Sequence, residues 1–203
     1  MFQSNLQSPV LFCPLNLNYL SKDLLEECAS MYCRIWKEPP WNEDFWTVPG
    51  VMEDLEKEMS KDGATGFLSL SWSKRIEVTG FSWGYRVNAE QLADLASDPE
   101  IKKFFNPGEV AFYIDELGVS PGYRDRGIGK SLTGLLVGQA LYQRAGKIFL
   151  RTDKKAMAAR SVYSDLGFRE LDLMDGAYKE RSYWLLDARR NKLMSIGHSL
   201  ILV

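Results

Sequence analysis

The stretch Arg124-Asp125-Arg126-Gly127-Ile128-Gly129 stands between a strand-like run and a helical pattern, and it decides the fold of this chain. The run before it, from Val110 to Val119, is mostly apolar, as in a buried strand. From Ile128 to Leu141, apolar residues recur at the spacing of one helix face. The first amides of such a helix have no acceptor within it, and the helix dipole adds positive charge there. Because glycines let an anion approach the backbone closely, the sequence predicts a phosphate site at this junction.

Two other glycine-rich motifs bind nucleotides, and neither fits this loop. The dinucleotide motif G-x-G-x-x-G requires a third glycine where the chain has Leu132. The nucleotide P-loop G-x-x-x-x-G-K-[ST] is matched at its end by Gly129-Lys130-Ser131, but its first glycine would stand at Arg124. What remains is the pattern R-x-x-G-x-G after a buried strand.

This pattern resembles the acyl-CoA signature of the GNAT superfamily of N-acetyltransferases, written Q/R-x-x-G-x-G/A. The segment Ala159–Phe168 resembles a second motif of that superfamily, A-x-x-x-Y-x-x-x-G-F. The resemblance implies an α/β fold, with a central mixed sheet of about six or seven strands flanked by helices. It also implies acetyl-CoA as cosubstrate and a single acetyltransferase domain, which we place at residues 1–187, before a C-terminal tail at 188–203 of unassigned role.

The amino-acid composition gives no sign of a nucleic-acid or membrane partner. The 203 residues carry a net charge of −2, which gives no reason to expect nucleic acid as a partner. No apolar run approaches the ~18 residues of a membrane span, and the N-terminus lacks a signal-peptide pattern. The chain has three cysteines, Cys13, Cys28 and Cys33. This odd number is typical of buried reduced thiols, and reduced thiols favour a cytoplasmic location for the protein. The sequence is compatible with a homodimer.

The single histidine, His198, lies in the predicted tail. A multi-histidine metal centre is therefore excluded within one chain, and a histidine-based triad would depend on that residue. We expect no metal, and we expect carboxylates, tyrosine or water to move protons.

Hydrophobic periodicity predicts seven strands and five helices in the order β-α-α-β-β-α-β-α-β-α-β-β. A helical segment is expected from Asn42 to Ser60 with an interruption at Val48-Pro49-Gly50. A helix over Ala89–Phe105 contains Pro99, so two short helices are an alternative. Thr152 or Asp153 is expected to cap the helix that carries Tyr163.

By the resemblance, backbone amides of the glycine loop hold the CoA pyrophosphate, and the end of the preceding strand binds the pantetheine arm and polarises the acyl carbonyl. The alternative is a tight turn whose glycines only allow packing. The predicted CoA-binding residues are Leu117, Gly118, Val119, Arg124, Asp125, Arg126, Gly127, Ile128, Gly129, Lys130, Ser131 and Tyr163. One departure from the superfamily pattern is Ala156. Members of the superfamily often have an asparagine at this position, and its side chain contacts the pantetheine.

The resemblance implies that Tyr163 is the general acid that protonates the CoA thiolate, since a phenol with a pKa of ~10 is protonated at neutral pH. Its alternative role is packing in the core. Asp115 and Glu116 are candidate bases for the incoming ammonium. Neighbouring strand residues point to opposite faces unless a bulge intervenes, and the resemblance implies a bulge here. Two alternatives remain open: one of the two carboxylates has a structural role, or a water chain links the carboxylate to the amine.

The acceptor site is predicted near the segment Glu38–Trp46, which combines aromatic rings, prolines and carboxylates. Aromatic walls with carboxylates suit a cationic amine. The candidate acceptor-binding residues are Trp41, Glu43, Trp83 and Tyr113, any of which can instead be a core residue. A small cationic amine, such as an aminoglycoside or a polyamine, is the favoured acceptor. The alternatives are a protein N-terminus or lysine, a donor other than acetyl-CoA, and a CoA-binding regulatory module without catalysis.

Overall fold

The computed structural model describes residues 9–72 and 75–188, and within these ranges it confirms the predicted element order. The strands are β1 (Val10–Pro14), β2 (Thr65–Trp72), β3 (Ile76–Val87), β4 (Ala111–Val119), β5 (Lys147–Asp153), β6 (Arg169–Met174) and β7 (Arg181–Asp187). The helices are α1 (Lys22–Trp36), α2 (Val48–Met59), α3 (Ala89–Ala96), α4 (Ile128–Tyr142) and α5 (Met157–Asp165), with short 3₁₀ helices at Pro99–Phe104 and Pro121–Tyr123. Apart from Ala188, the predicted tail lies outside the described residues.

The seven strands form one mixed sheet in the order β1-β2-β3-β4-β5-β7-β6. Every neighbouring pair is antiparallel except β4 and β5, which run parallel. Their pairing covers only three residue pairs, from Phe112–Ile148 to Ile114–Leu150. Beyond that point β4 continues to Val119 and β5 to Asp153 without pairing to each other, so the two strands diverge. The sheet therefore opens at its centre.

Alternating side chains of the central strands pack on opposite faces of the sheet. Phe112 and Ile114 contact the cluster that contains residues of α4 and α5. Tyr113 packs on the other face, in the cluster of α3, and the side chains of α1 and α2 join Phe81 and Trp83 on that face. The opening between β4 and β5 is thus bordered by helices from both layers.

A β-bulge lies at the point where β4 leaves β5. The β3–β4 register pairs Trp83 with Glu116 but Gly84 with Ile114, so Asp115 is an extra residue in β4. A side chain at Gly84 would come within 2.3 Å of the Tyr113 carbonyl oxygen, which explains why glycine stands opposite the bulge. The bulge that the resemblance implied is present, and it breaks the alternation at Asp115 and Glu116.

Two local expectations need revision, and at a third place the predicted alternative of two short helices is confirmed. The segment before α2 is not helical; Thr47 accepts from Gly50 N at 3.2 Å as N-cap, and Pro49 lies in the first turn, where its missing N–H costs nothing. The span Ala89–Phe105 forms two short helices, because α3 ends at Ala96 and the 3₁₀ helix begins at Pro99. Helix α5 is preceded by Ala156, and no side chain caps it.

Candidate active site

A groove of about 1080 Å³ follows the opening between β4 and β5. Its walls include the end of β4, the first turn of α4, one side of α5, and the loop between α1 and α2. The groove therefore connects the glycine loop on one layer with the aromatic segment on the other. Both parts of the predicted site lie along it.

The glycine loop forms one end of the groove. Gly127 has φ of 75°, in the left-handed region that favours glycine, and a side chain there would meet no atom within 4 Å. The first amide with an acceptor inside α4 is that of Ser131, which donates to the Gly127 carbonyl at 2.9 Å. The amides of residues 128–130 are thus left to a ligand or to water. Open space, unused donors and the helix dipole fit a pyrophosphate.

The charged residues of the loop also connect it to the rest of the groove. Arg124 donates to Oε2 of Glu38 at 2.7 Å and to the Val119 carbonyl at 3.1 Å. Lys130 donates to Asp165 at 3.0 Å, which links α4 to α5. The Arg124–Glu38 pair joins the CoA-type loop to the segment between α1 and α2.

The bulge places both carboxylates of β4 in the groove, on the layer of α1 and α2. Burial and the neighbouring Glu58 carboxylate raise the pKa of Asp115 to about 8, although Lys61 and Arg151 oppose this rise. Burial and the charge of Asp115 hold the pKa of Glu116 well above its usual range. Carboxyl groups with such raised pKa values are stronger bases than exposed carboxylates.

Tyr163 enters the groove from α5, on the opposite layer from the carboxylates. Its ring packs between Phe168 and Trp184, with centroid separations of 6.0 and 6.2 Å. Burial and the charge of Glu116 hold the pKa of the Tyr163 phenol well above its usual value. The phenol is therefore protonated at neutral pH and can donate a proton.

Tyr32, on α1, contacts both the Glu116 carboxylate and the aromatic wall. Its hydroxyl donates to Oε1 of Glu116 at 3.0 Å. Its ring stacks on Phe81 and Trp83, with centroid separations of 5.6 and 6.0 Å. Trp83 and Tyr113, both predicted acceptor residues, are only 3% and 2% exposed and form the floor of the groove.

The other two predicted acceptor residues, Trp41 and Glu43, lie in the loop between α1 and α2. Glu43 accepts from Arg181 at 3.0 Å and from the Trp46 indole at 2.8 Å. The Arg181 guanidinium lies 5.6 Å from the Trp41 ring centroid and 4.2 Å from that of Tyr178. Because Tyr178 and Arg181 belong to the β6–β7 connection and the start of β7, this cluster bridges two loops across the groove. We call it the loop bridge.

Sequence reasoning brought together the glycine loop, Asp115, Glu116 and Tyr163 but missed Tyr32, Glu58 and Arg181. In the sequence, Tyr32 stands among the apolar positions of α1, Glu58 is one charge among several on α2, and Arg181 is a strand residue. Their contacts join positions 84 and 138 residues apart in the cases of Tyr32–Glu116 and Arg181–Glu43, so no local pattern marks them.

The arrangement has the parts for acyl transfer between a thioester and an amine. It combines an anion site, raised-pKa carboxylates and a protonated phenol along one groove. Among residues 9–72 and 75–188, no group of three or more His, Cys, Asp or Glu side chains has the geometry of a metal site. No helix in the same ranges is long and apolar enough to cross a membrane.

Comparison with known proteins agrees with this geometry. The acetyltransferase (GNAT) family matches residues 25–168. NAA60 of Arabidopsis thaliana, solved with a bisubstrate analogue, superposes with a TM-score of 0.61 at 18% identity, over 88% of this chain and 97% of that one. The acetyltransferase yncA of Salmonella typhimurium, solved with acetyl-CoA, gives 0.61 at 13% identity, over 88% and 93%.

A GNAT-family acetyltransferase of Staphylococcus aureus Mu50 gives a TM-score of 0.61 at 20% identity, over 87% of this chain and 98% of that one. A comparison with curated proteins finds no match. These superpositions establish the shared fold, and the family match covers well over half of the chain. The chain therefore belongs to the acetyltransferase (GNAT) family.

Proposed function

We propose that this enzyme acetylates the primary amine of a small cationic molecule, of the polyamine or aminoglycoside type. The observation that carries the proposal is the placement of Asp115 and Glu116 in an aromatic-walled groove, opposite Tyr163. Carboxylates attract an ammonium group, and aromatic faces add cation–π attraction of about 0.5–2 kcal/mol. Acetyl-CoA supplies an activated acetyl thioester.

The donor end of the groove is assigned to the glycine loop and the end of β4. The available amides of residues 128–130 bind the pyrophosphate, with Arg124, Asp125 and Arg126 beside it. The backbone of Leu117, Gly118 and Val119 pairs with the pantetheine arm, since β4 and β5 no longer pair there. The absence of an asparagine at Ala156 leaves this backbone as the main anchor of the arm.

The acceptor end is assigned to Trp41 as a wall and to Trp83 and Tyr113 as the floor. Glu43 holds the loop bridge there. The bridge joins the α1–α2 loop to the β6–β7 connection through Glu43 and Arg181. An extended peptide would have to separate these loops, whereas a compact amine fits beneath them. This favours a small molecule over a protein N-terminus or a lysine side chain.

The chemistry follows from the two sides of the groove. Glu116 or Asp115 takes a proton from the bound ammonium, and the free nitrogen lone pair attacks the thioester carbon. The carbon–sulfur bond breaks, and the thiolate takes the Tyr163 proton. An N–H at the end of β4 polarises the carbonyl during attack. Donor and acceptor meet directly, so no acetyl group passes through the enzyme.

The test is a screen for CoA release from acetyl-CoA with polyamines, aminoglycosides, peptides with free N-termini and lysine peptides. We expect at least one compact cationic amine to give a kcat/KM ten or more times that of any peptide. A peptide N-terminus acting as the best acceptor would overturn the proposal. Donors such as propionyl-CoA and succinyl-CoA, tested beside acetyl-CoA, define the acyl group.

A further inference from the structure

Glu58, on α2, places its carboxylate in the groove next to Asp115. Its Oε1 accepts a 2.8 Å hydrogen bond from Nζ of Lys61. Its Oε2 is buried, and no donor among the described residues reaches it. A buried carboxylate oxygen without a donor is costly unless a proton or a cation comes to it.

Asp115 is the carboxyl that neighbours Glu58, and both side chains line the same groove. Because both groups are acceptors when ionised, a hydrogen bond between them requires that one is protonated. The titratable and charged groups that face this pair from the surrounding elements are Tyr32, Lys61, Tyr85, Tyr113, Glu116 and Arg151. Both cations among them have partners already, since Lys61 bonds to Glu58 and Arg151 to Asp175 at 2.9 Å.

We propose that Glu58 and Asp115 work as one carboxyl pair, which takes up the proton that the acceptor amine loses and shares it between the two side chains. This inference rests on the proposed function. When both carboxylates are ionised, the nitrogen–hydrogen bond of the ammonium breaks and its proton enters the space between Asp115 and Glu58. The nitrogen keeps the electron pair with which it attacks the thioester.

The pair binds a proton more strongly than one carboxylate would, because losing that proton recreates two adjacent negative charges. Glu58 is thus a positioning residue that makes Asp115 a stronger base. The proton can leave on the far side, where Lys61 is 38% exposed. The form that accepts a proton is the doubly ionised pair, so kcat/KM rises with pH through the pKa of the pair.

Carboxyl carbon NMR of the free enzyme, with aspartate and glutamate labelled, tests the pair without any substrate. Glu58→Gln should lower the pKa of Asp115 by more than one unit, because it removes the adjacent charge. Lys61→Met should raise that pKa, because it removes an opposing cation. Glu56→Gln, an exposed carboxylate on the same helix, is the matched control and should leave it unchanged.

The same variants, assayed with the best amine from the screen, test the role in the reaction. The acid limb of kcat/KM should move to lower pH in Glu58→Gln and to higher pH in Lys61→Met, each by the shift that NMR measures. An unchanged Asp115 pKa in Glu58→Gln overturns the pair, whether or not an acceptor is known. A shifted pKa with a stationary acid limb overturns its role in proton transfer. Failure of every amine in the screen instead counts against the proposed function, while NMR still decides whether the pair exists.

Discussion

The hydroxyl of Tyr32 on α1 donates a 3.0 Å hydrogen bond to Oε1 of Glu116 on the bulged part of β4. This bond stabilises the ionised form of Glu116. Burial and the charge of Asp115 act in the opposite direction and hold the pKa of Glu116 well above its usual range. The hydrogen bond connects the aromatic wall of the groove to Glu116, one of the two candidate bases on β4.

Tyr32→Phe keeps the ring contacts with Trp83 and Phe81 but removes this donor. We expect the Glu116 pKa to rise further, and the acid limb of kcat/KM to move to higher pH if Glu116, and not Asp115, takes the ammonium proton. A shift of one unit would lower kcat/KM about tenfold on that limb. Tyr19→Phe, at an 87% exposed position, is the control. Identical pH profiles for Tyr32→Phe and the wild type would exclude the hydrogen bond from the chemistry.

Tyr163→Phe removes only the phenol oxygen and keeps the packing on Phe168 and Trp184. A general acid contributes about 10²–10⁴-fold, so we expect kcat to fall at least ~50-fold with little change in the KM for acetyl-CoA. The buried Tyr183 of β7, which lies outside the groove walls, gives the control Tyr183→Phe. If kcat stayed within twofold of the wild type, another group or water would have to protonate the thiolate.

Asp115→Asn should stabilise the fold while it lowers activity. The folded-state pKa of about 8 lies above the ~3.9 of an unfolded aspartate, so between these pH values the folded chain binds the extra proton. The contribution of Asp115 to the free energy of unfolding therefore falls as the pH rises from about 4 to about 8. An asparagine does not titrate, so the variant does not lose this stability. We expect the Tm gain of Asp115→Asn over wild type to be larger at pH 8 than at pH 5. The exposed Asp172→Asn is the control, and an equal gain at both pH values would contradict the raised pKa.

Arg181→Gln should weaken the loop bridge, because it removes the charge that pairs with Glu43 and stacks on Tyr178. The KM for the amine should rise several-fold, while the KM for acetyl-CoA stays within about twofold, since the donor end lies elsewhere in the groove. Arg169→Gln, at an exposed position of β6, serves as the comparison. Equal effects on both substrates would show that Arg181 stabilises the fold and does not shape the acceptor end.

Much of the fold could be predicted because its signals are local. The glycine loop and the apolar run before it each depend on residues close in sequence, and the structure has both. The start of α2 was misjudged, since Pro49 fits a first helical turn as well as an interruption, and only the Thr47 cap distinguishes them.

The candidate site was less predictable, because its geometry depends on distant pairing. Whether Asp115 and Glu116 share one face depends on the β3–β4 register at Trp83 and Gly84. From the sequence, the bulge that decides this was expected only by resemblance to the GNAT superfamily. The contribution of Tyr32 and Glu58 depends on how α1 and α2 pack over the bulge, which no spacing along the chain encodes.

The most direct test of the account is calorimetric titration of Gly127→Glu with CoA. At Gly127, open space and the unused amides of α4 are assigned to the pyrophosphate, so a glutamate there places bulk and negative charge in its way. Gly108 is a matched control, since its φ is 71° and its surroundings are equally open, so Gly108→Glu carries the same backbone strain away from the groove. We predict at least a ~100-fold loss of CoA affinity in Gly127→Glu and wild-type affinity in Gly108→Glu. Wild-type CoA affinity in a folded Gly127→Glu variant would contradict the central claim that this loop holds the donor.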